Sequence, residues 1–265
     1  LFWFLLILAG GLIMVGYMFA LAEWADKTQV KNLSYNRFKV KESKPSIKIF
    51  FISDIHNRKV REKSIENIEQ VDVVIIGGDL VDKRTPHQRL LDNLQLLRKW
   101  NAPIFFIPGN NDHELTSGSI IDVLENNGVK TLSNEDEYVK LKQNKGFVLS
   151  GLDPYFMKPN RKSAQIKDDD ILQILCVHDP FVYQRMNQED RERFDLVLAG
   201  HTHGGQIRIF GLGPYERGGW LNDEDQPLLV SEGYGTSLLP LRLGTRAESH
   251  LIHLSLGEEK PEKLL

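Results

Sequence analysis

Five short apolar runs, each breaking off into a cluster of His, Asp or Asn, constrain this chain more than any other feature. Ile49-Phe50-Phe51-Ile52 runs into Ser53-Asp54-Ile55-His56, residues 73–76 into Gly77-Gly78-Asp79, and residues 104–107 into Pro108-Gly109-Asn110-Asn111-Asp112. Residues 174–177 run into His178-Asp179-Pro180, and residues 197–199 into Gly200-His201-Thr202-His203. Runs of β-branched and aromatic residues bounded by turn formers read as buried strands, here over 47–52, 71–76, 103–107, 171–177 and 195–199. Between them Leu90, Leu91, Leu94 and Leu97 repeat at helical spacing, and 117–126 closes at Gly128 as a helix does. The alternation predicts an α/β domain with a largely parallel sheet. After Leu132 the runs lie closer together, at 138–141, 146–149, 228–231 and 250–254, which predicts a second sheet.

In an α/β sheet, ligands bind outside the carboxyl ends of the strands, so the five polar clusters are expected to converge on one crevice. A lone His at a strand end is usually a hydrogen-bonded structural residue and a lone Gly-Asp a turn. Five such clusters in one chain point to a site instead. Asp54 and His56, two residues apart just past a strand, point the same way if strand geometry continues. Carboxylate and amide oxygens mixed with imidazole nitrogens suit Mn, Fe, Zn or a similar divalent ion. Cys176 is the single cysteine, which excludes an intramolecular disulfide and a thiolate zinc site. Seven side chains, Asp54, His56, Asp79, Asn110, His178, His201 and His203, are too many for one tetrahedral ion and suit two adjacent ions sharing a carboxylate. The formal net charge of -3 supplies no basic field for a nucleic-acid backbone, so nucleic acid is not an expected partner.

The N-terminus is a separate problem. Residues 1–22 contain no charged side chain, and as a helix they would extend about 33 Å against a bilayer core of about 30 Å. Trp3, Tyr17 and Trp24 lie towards its ends, as interfacial aromatics do. A single-pass membrane anchor is expected, with a cleaved export signal as the rival because Ala20-Leu21-Ala22 has small-x-small spacing. Residues 23–46 are polar and carry Lys27, Lys31, Arg37, Lys39, Lys41 and Lys44. They read as a juxtamembrane linker or an edge strand, and their Lys/Arg excess places the following domain on the cytoplasmic face, the exported location being the alternative.

The ordered motifs SDIH (53–56), GGDL (77–80), GNND (109–112), VHDP (177–180) and GHTHGGQ (200–206) strongly resemble the signature of the calcineurin-like metallophosphoesterases. The closing VSEGYGTSLLPLRLGTRAE, residues 230–248, is similar to the membrane-associated YkuE-type bacterial branch. The resemblance implies a four-layer α/β/β/α sandwich over residues 47–256, with 257–265 a charged tail. It implies that Asp54, His56 and His203 hold one divalent ion, that Asn110, His178 and His201 hold a second, and that Asp79 bridges them. The implied activity is phosphoester hydrolysis, of a phosphodiester or pyrophosphate on a lipid or envelope metabolite. The seven filled ligand positions favour an enzyme over a catalytically weak metal-binding regulatory module, and only the metal centre itself speaks for a protein phosphatase.

One departure from the family pattern matters. The position after the metal-binding Asn is commonly a His that serves the leaving group, and here it is Asn111, which has no proton to give but can hydrogen-bond a phosphoryl oxygen. His113, two residues on, is the candidate substitute. Arg58 is a candidate contact to the substrate phosphate. Tyr215 and Trp220, in the Gly-rich stretch 211–221, are candidates for a substrate wall.

Overall fold

The computed structural model describes residues 1–35, 46–141, 146–154, 171–221 and 226–256. In chain order the elements are α1 (Phe2–Glu23), β1 (Lys27–Tyr35), β2 (Ser46–Ile52), α2 (Glu62–Ile65), β3 (Val73–Ile76), α3 (His87–Leu97), β4 (Ile104–Phe106), α4 (Ile120–Asn126) and β5 (Val129–Thr131). There follow β6 (Glu135–Lys140), β7 (Gly146–Leu152), β8 (Leu172–Val177), α5 (Pro180–Gln184), α6 (Gln188–Glu192), β9 (Leu196–Ala199), β10 (Gly219–Leu221), β11 (Leu228–Val230) and β12 (Glu248–Leu256). They form two six-stranded sheets, ordered β1-β12-β2-β3-β4-β5 and β10-β11-β9-β8-β7-β6.

Both sheets are mostly parallel, as the alternation of runs and helices predicts: β2, β3, β4 and β5 pair in parallel in the first, and β7, β8, β9 and β11 in the second. The five runs that carry the polar clusters do not share one sheet, however. Three of them, β2, β3 and β4, lie in the first sheet, whereas β8 and β9 lie in the second. The crevice is therefore a seam between two sheets, each contributing strand ends.

Period-2 alternation explains how each strand serves two layers. Ile49 and Phe51 of β2 and Val73 and Ile75 of β3 meet Phe147, Leu149, Ile174, Cys176, Leu196 and Leu198 of the second sheet in one buried cluster. Their neighbours Phe50, Ile52, Val74 and Ile76 point the other way, onto Leu90, Leu94 and Leu97 of α3 and Ile120 and Leu124 of α4. On the far side of the second sheet Leu175, Val177 and Val197 pack with Tyr183 of α5 and Phe194. The Ser119 hydroxyl accepts from the Asp122 N–H (3.3 Å) and so starts α4 within the predicted 117–126 stretch.

Of the two readings open for residues 23–46, the structure has the edge strand over Lys27–Tyr35, where β1 pairs in parallel with the C-terminal strand β12. Arg37, Lys39, Lys41 and Lys44, and the tail 257–265, lie outside the described residues. The strand β12 thus sits between β1 and β2, closing the first sheet with the last part of the chain. Ile252, fully buried on β12 opposite Ile49, is central to the inter-sheet core. Ile252→Ala is expected to destabilise the domain by about 2–5 kcal/mol, the range for a buried large-to-small change. The shift of the denaturant midpoint of the full chain in detergent measures it.

Candidate metal centre

Left-handed backbone dominates the seam. Asp54 (φ 55°), His56 (49°), Asp79 (48°), His201 (72°) and His203 (50°) all have positive φ, a region that non-glycine residues enter at a cost of about 1–3 kcal/mol. Five of the seven predicted ligands are therefore held in a conformation the chain would not adopt unaided. The i, i+2 argument for Asp54 and His56 is corrected accordingly: the two do converge, but by two left-handed turns and not by continued strand geometry. Cross-strand bonds hold these turns, Asp54 N–H to Gly78 O (2.9 Å), His56 N–H to Asp79 O (3.0 Å) and Gly200 N–H to His178 O (2.9 Å). Two of the motif glycines have a steric reason. A Cβ on Gly109 would stand 2.3 Å from the Asp79 nitrogen, and one on Gly200 would stand 2.5 Å from Asp54 Oδ2.

The side chains form two overlapping groups, Asp54 with His56 and His203, and Asp54 with Asp79 and His178, each with its ligand atoms within 4.8 Å of one another. In the first, His56 Nε2 lies 3.2 Å from His203 Nε2, and His203 Nε2 lies 3.4 Å from Asp54 Oδ1. Asp79 Oδ2 faces both groups, 3.7 Å from His56 Nε2 and 3.4 Å from His178 Nε2. The His201 ring stands beside the His178 ring at 5.2 Å between centroids, and its backbone N–H donates to the Asp54 carboxylate. Asn110 Nδ2 donates to Asn111 Oδ1 (2.9 Å), which leaves Asn110 Oδ1 buried and without a hydrogen-bond partner. A buried acceptor with nothing to accept costs stability unless a cation or donor completes it. The set therefore fits a pair of hard or borderline divalent ions.

Several residues that orient the ligands were not legible in the sequence. Asp82 Oδ2 lies 3.3 Å from His56 Nδ1, so the His56 Nε2 edge faces the centre. The Gly77 carbonyl does the same for His178, accepting from Nδ1 at 2.8 Å. Arg242, wholly buried, donates to the carbonyls of Glu232, Gly233 and Gly235 and reaches to 3.4 Å from His203 Nδ1. Asp112, quoted within the GNND motif but given no role there, accepts from the N–H groups of Asp79, Gly109 and Val81 and so pins the turn after β3 to the turn after β4.

Burial and mutual charge set the protonation of the metal-free centre. Burial works against a charged His178, but the Asp79 and Asp54 carboxylates and the Gly77 carbonyl outweigh it and push its pKa up to about 10. His56 is likewise raised, its desolvation outweighed by Asp82, Asp79 and Asp54. His203 is held well below the ordinary imidazole value by burial and by the charges of His56 and Arg242. For Asp79 the desolvation that would raise it is overcome by His178 and His56 and by the Asn111 N–H, so it is lowered. Asp112, buried beside the Asp79 charge, is raised to about 7.

The remaining predicted residues divide. Asn111 lines the cavity at the centre; its N–H donates to Asp79 Oδ1 (2.7 Å) and its Nδ2 to Glu114 Oε1 (3.1 Å). His113, in the 3-10 turn Asp112–Glu114 that buries Asp112, is itself exposed and is not among the residues that line the cavity. Arg58 is also corrected. It is buried under Tyr234, 4.4 Å from the ring centroid, and donates to Asp26 Oδ1 (2.5 Å), Glu23 O (2.7 Å) and Tyr234 O (2.5 Å), so it joins α1 to the domain and does not face the cavity. Tyr215 is part of the cavity wall, whereas Trp220 is not and packs with Lys31. The cavity measures about 560 Å³; its lining includes the polar Asp79, Asn110, His201 and His203 and the apolar Ile207, Pro214, Leu238 and Leu239.

By class, a centre of this composition on an α/β scaffold belongs to a metal-dependent hydrolase. The calcineurin-like phosphoesterase family model matches residues 47–205, and the chain belongs to that family of phosphoester hydrolases. It is 38% identical over 218 residues to YpbG of Bacillus subtilis, covering 80% of this chain and 83% of that protein. It is 28% identical over 196 residues to the metallophosphoesterase YkuE of Bacillus subtilis, covering 69% of this chain and 67% of that protein. A transmembrane protein with metallophosphoesterase domain from Danio rerio is 26% identical over 255 residues, 87% of this chain but 58% of that relative's length.

Divalent ions bind neutral imidazole, so metal uptake must expel the proton that His178 holds up to about pH 10. Affinity is expected to rise with pH over about pH 6–9, by up to about tenfold per unit for each proton displaced. His203, already neutral, contributes nothing to this slope. Calorimetric titration of the apoprotein in buffers of different ionisation enthalpy counts the protons; a pH-independent affinity would show that His178 is neutral before metal binds.

Proposed function

We propose that this chain is a membrane-anchored phosphoester hydrolase with a two-ion centre, a phosphodiesterase or pyrophosphatase acting on a lipid or envelope phosphate. The observation that carries the reading is Asp79, whose Oδ2 faces His56 on one side and His178 on the other. In this reading Asp54, His56 and His203 hold one ion, Asn110, His178 and His201 the other, and Asp79 both. Mn, Fe or Zn suits the mixed oxygen and nitrogen donors. When bound, two such ions lower the pKa of an attacking water and neutralise charge on the phosphoryl oxygens.

The chain's own groups do the positioning. The Asn111 N–H fixes Asp79 Oδ1 and thereby turns Oδ2 to the centre, while the Asn111 amide is itself held by Asn110 and Glu114. An amide so placed orients a substrate oxygen but protonates nothing, so departure of the leaving group rests on its own acidity. That favours diesters, pyrophosphates and acidic leaving groups over alkyl monoesters. The apolar residues in the cavity lining suit a substrate whose phosphate carries a hydrophobic group. The helix α1, with a mean hydropathy of 2.4 and almost wholly exposed, is long and apolar enough to cross a membrane. Lys27 and Lys31 just beyond it favour the cytoplasmic face for the domain.

Two ions per chain by elemental analysis are expected at full activity. Asp79→Asn keeps the volume and removes the shared charge, and is expected to lower turnover by at least about 100-fold in a folded protein; full activity with one ion would refute the two-ion centre. Asn111→His is expected to raise turnover most for esters of poor leaving groups. A panel of aryl and alkyl mono- and diesters reads this as a shallower dependence of rate on leaving-group pKa, and an unchanged slope would show that position 111 does not serve the leaving group.

A further inference from the structure

The domain does not begin where α1 ends. The Arg242 N–H donates to Met18 O (3.1 Å), although the helix continues to Glu23. At about 1.5 Å per residue the loop bearing Arg242 lies about 7 Å along the helix from its end. In keeping with this, Met18, Ala20, Leu21 and Ala22 are partly or wholly buried, whereas residues 1–17 are exposed on all sides. A bilayer that receives the exposed part of α1 therefore meets the domain at the level of this loop.

The loop that makes this contact carries exposed apolar side chains, with the Arg84 guanidinium donating to the Leu238 carbonyl beneath them. Leu238 is 80% exposed at φ 58°, with Leu239 exposed beside it. A second loop is tied to the first, with Arg208 N–H to Leu243 O (2.8 Å) and Leu243 N–H to Gln206 O (3.1 Å). At its tip Ile209 and Leu212 exchange N–H to O bonds of 2.9 Å around Phe210 and Gly211, both at positive φ. Phe210 is 100% exposed and Leu212 78%. The Arg208 guanidinium clamps this turn from inside, donating to the carbonyls of Gly204, Gly211 and Tyr215. A bulky aromatic in strained backbone, held out by a built clamp, gains nothing from water; a cluster of such residues beside a membrane helix fits the headgroup and acyl boundary.

We propose that the tips 209–212 and 238–239 dip into the bilayer beside α1 as a second membrane contact, so that the metal centre takes its phosphoester from the membrane surface. The inference rests on the reading of α1 as a membrane anchor. Both loops also line the cavity, through Ile207, Pro214 and Tyr215 on one and Leu238 and Leu239 on the other, which places its mouth beside the apolar tips. A phosphate on a lipid would then reach the centre without its acyl chains leaving the hydrocarbon.

Cys176 is the single cysteine and is buried, so an introduced cysteine is labelled alone. Phe210→Cys, Leu238→Cys and, as an aqueous reference on α6, Glu189→Cys are made in the full chain, nitroxide-labelled and reconstituted into vesicles of phosphatidylethanolamine and phosphatidylglycerol. Power saturation then compares access of oxygen with access of a water-soluble nickel chelate. The expected result is a several-fold higher oxygen-to-nickel ratio at 210 and 238 than at 189. Ratios equal to the reference in chains that float with the vesicles would overturn the second contact while leaving the anchor standing. Chains that do not float with the vesicles would overturn both.

Discussion

Asp79 is held from both sheets. Its N–H donates to Asp112, its Oδ1 accepts from Asn111, and its Oδ2 faces His56 after β2 and His178 after β8. Its backbone is left-handed, and Gly109 approaches so closely that any side chain there would collide with it. The ends of β2, β3, β4 and β8 thus converge on one carboxylate, and Asp54, which accepts from the His201 N–H, adds the end of β9. The two sheets need not be joined here for packing, since their shared apolar core lies below. What the seam adds is a strained, desolvated set of acids and imidazoles that packing alone would not hold together.

That set is costly without cations. Asp54, Asp79, His56, His178 and His203 are all nearly inaccessible to solvent, and charges so buried are tolerated only when compensated. In the metal-free protein protons on His178 and His56 do the compensating, which is why both pKa values rise against the pull of desolvation. Divalent ions held by these residues would take over that compensation and leave the imidazoles neutral. The outer residues make that exchange possible: Asp82 and the Gly77 carbonyl each face a ring Nδ1, so the Nε2 edges stay directed inward whichever cation is present.

The strands were legible where both faces are buried, because a continuous apolar run ending in turn residues has few other solutions; β2, β3, β4, β8 and β9 are of this kind. The edge strand β1 was not separable from a linker, since it alternates exposed and half-buried positions and carries lysines. The three-residue strands β5 and β10 are too short to show a period. All seven ligand candidates were visible, as they follow strands within short motifs, and the structure brings them to one seam. Arg58 was misread because its carboxylate partner, Asp26, lies 32 residues earlier in the chain, with β1 and β2 between them. Arg242 was invisible for the same reason, acting on His203 from 39 residues further along the chain.

The junction between α1 and the domain would decide what an anchor could do. A flexible tether raises local concentration but leaves orientation free. This junction is not of that kind. Asp26 accepts from Arg58, Arg61 and Ser64, the carbonyls of Glu23 and Trp24 accept from the same two arginines, Lys27 N–H donates to Ala247 O, and β1 continues directly into the first sheet. Buried ion pairs with further hydrogen bonds resist bending more than a Gly- or Ser-rich linker does. The direction of α1 therefore sets which face of the domain a membrane would meet, and the loop hydrogen-bonded to Met18 is on that face. Because the same loop lines the cavity through Leu238 and Leu239, one connection fixes the direction of the helix relative to the Asp79 seam.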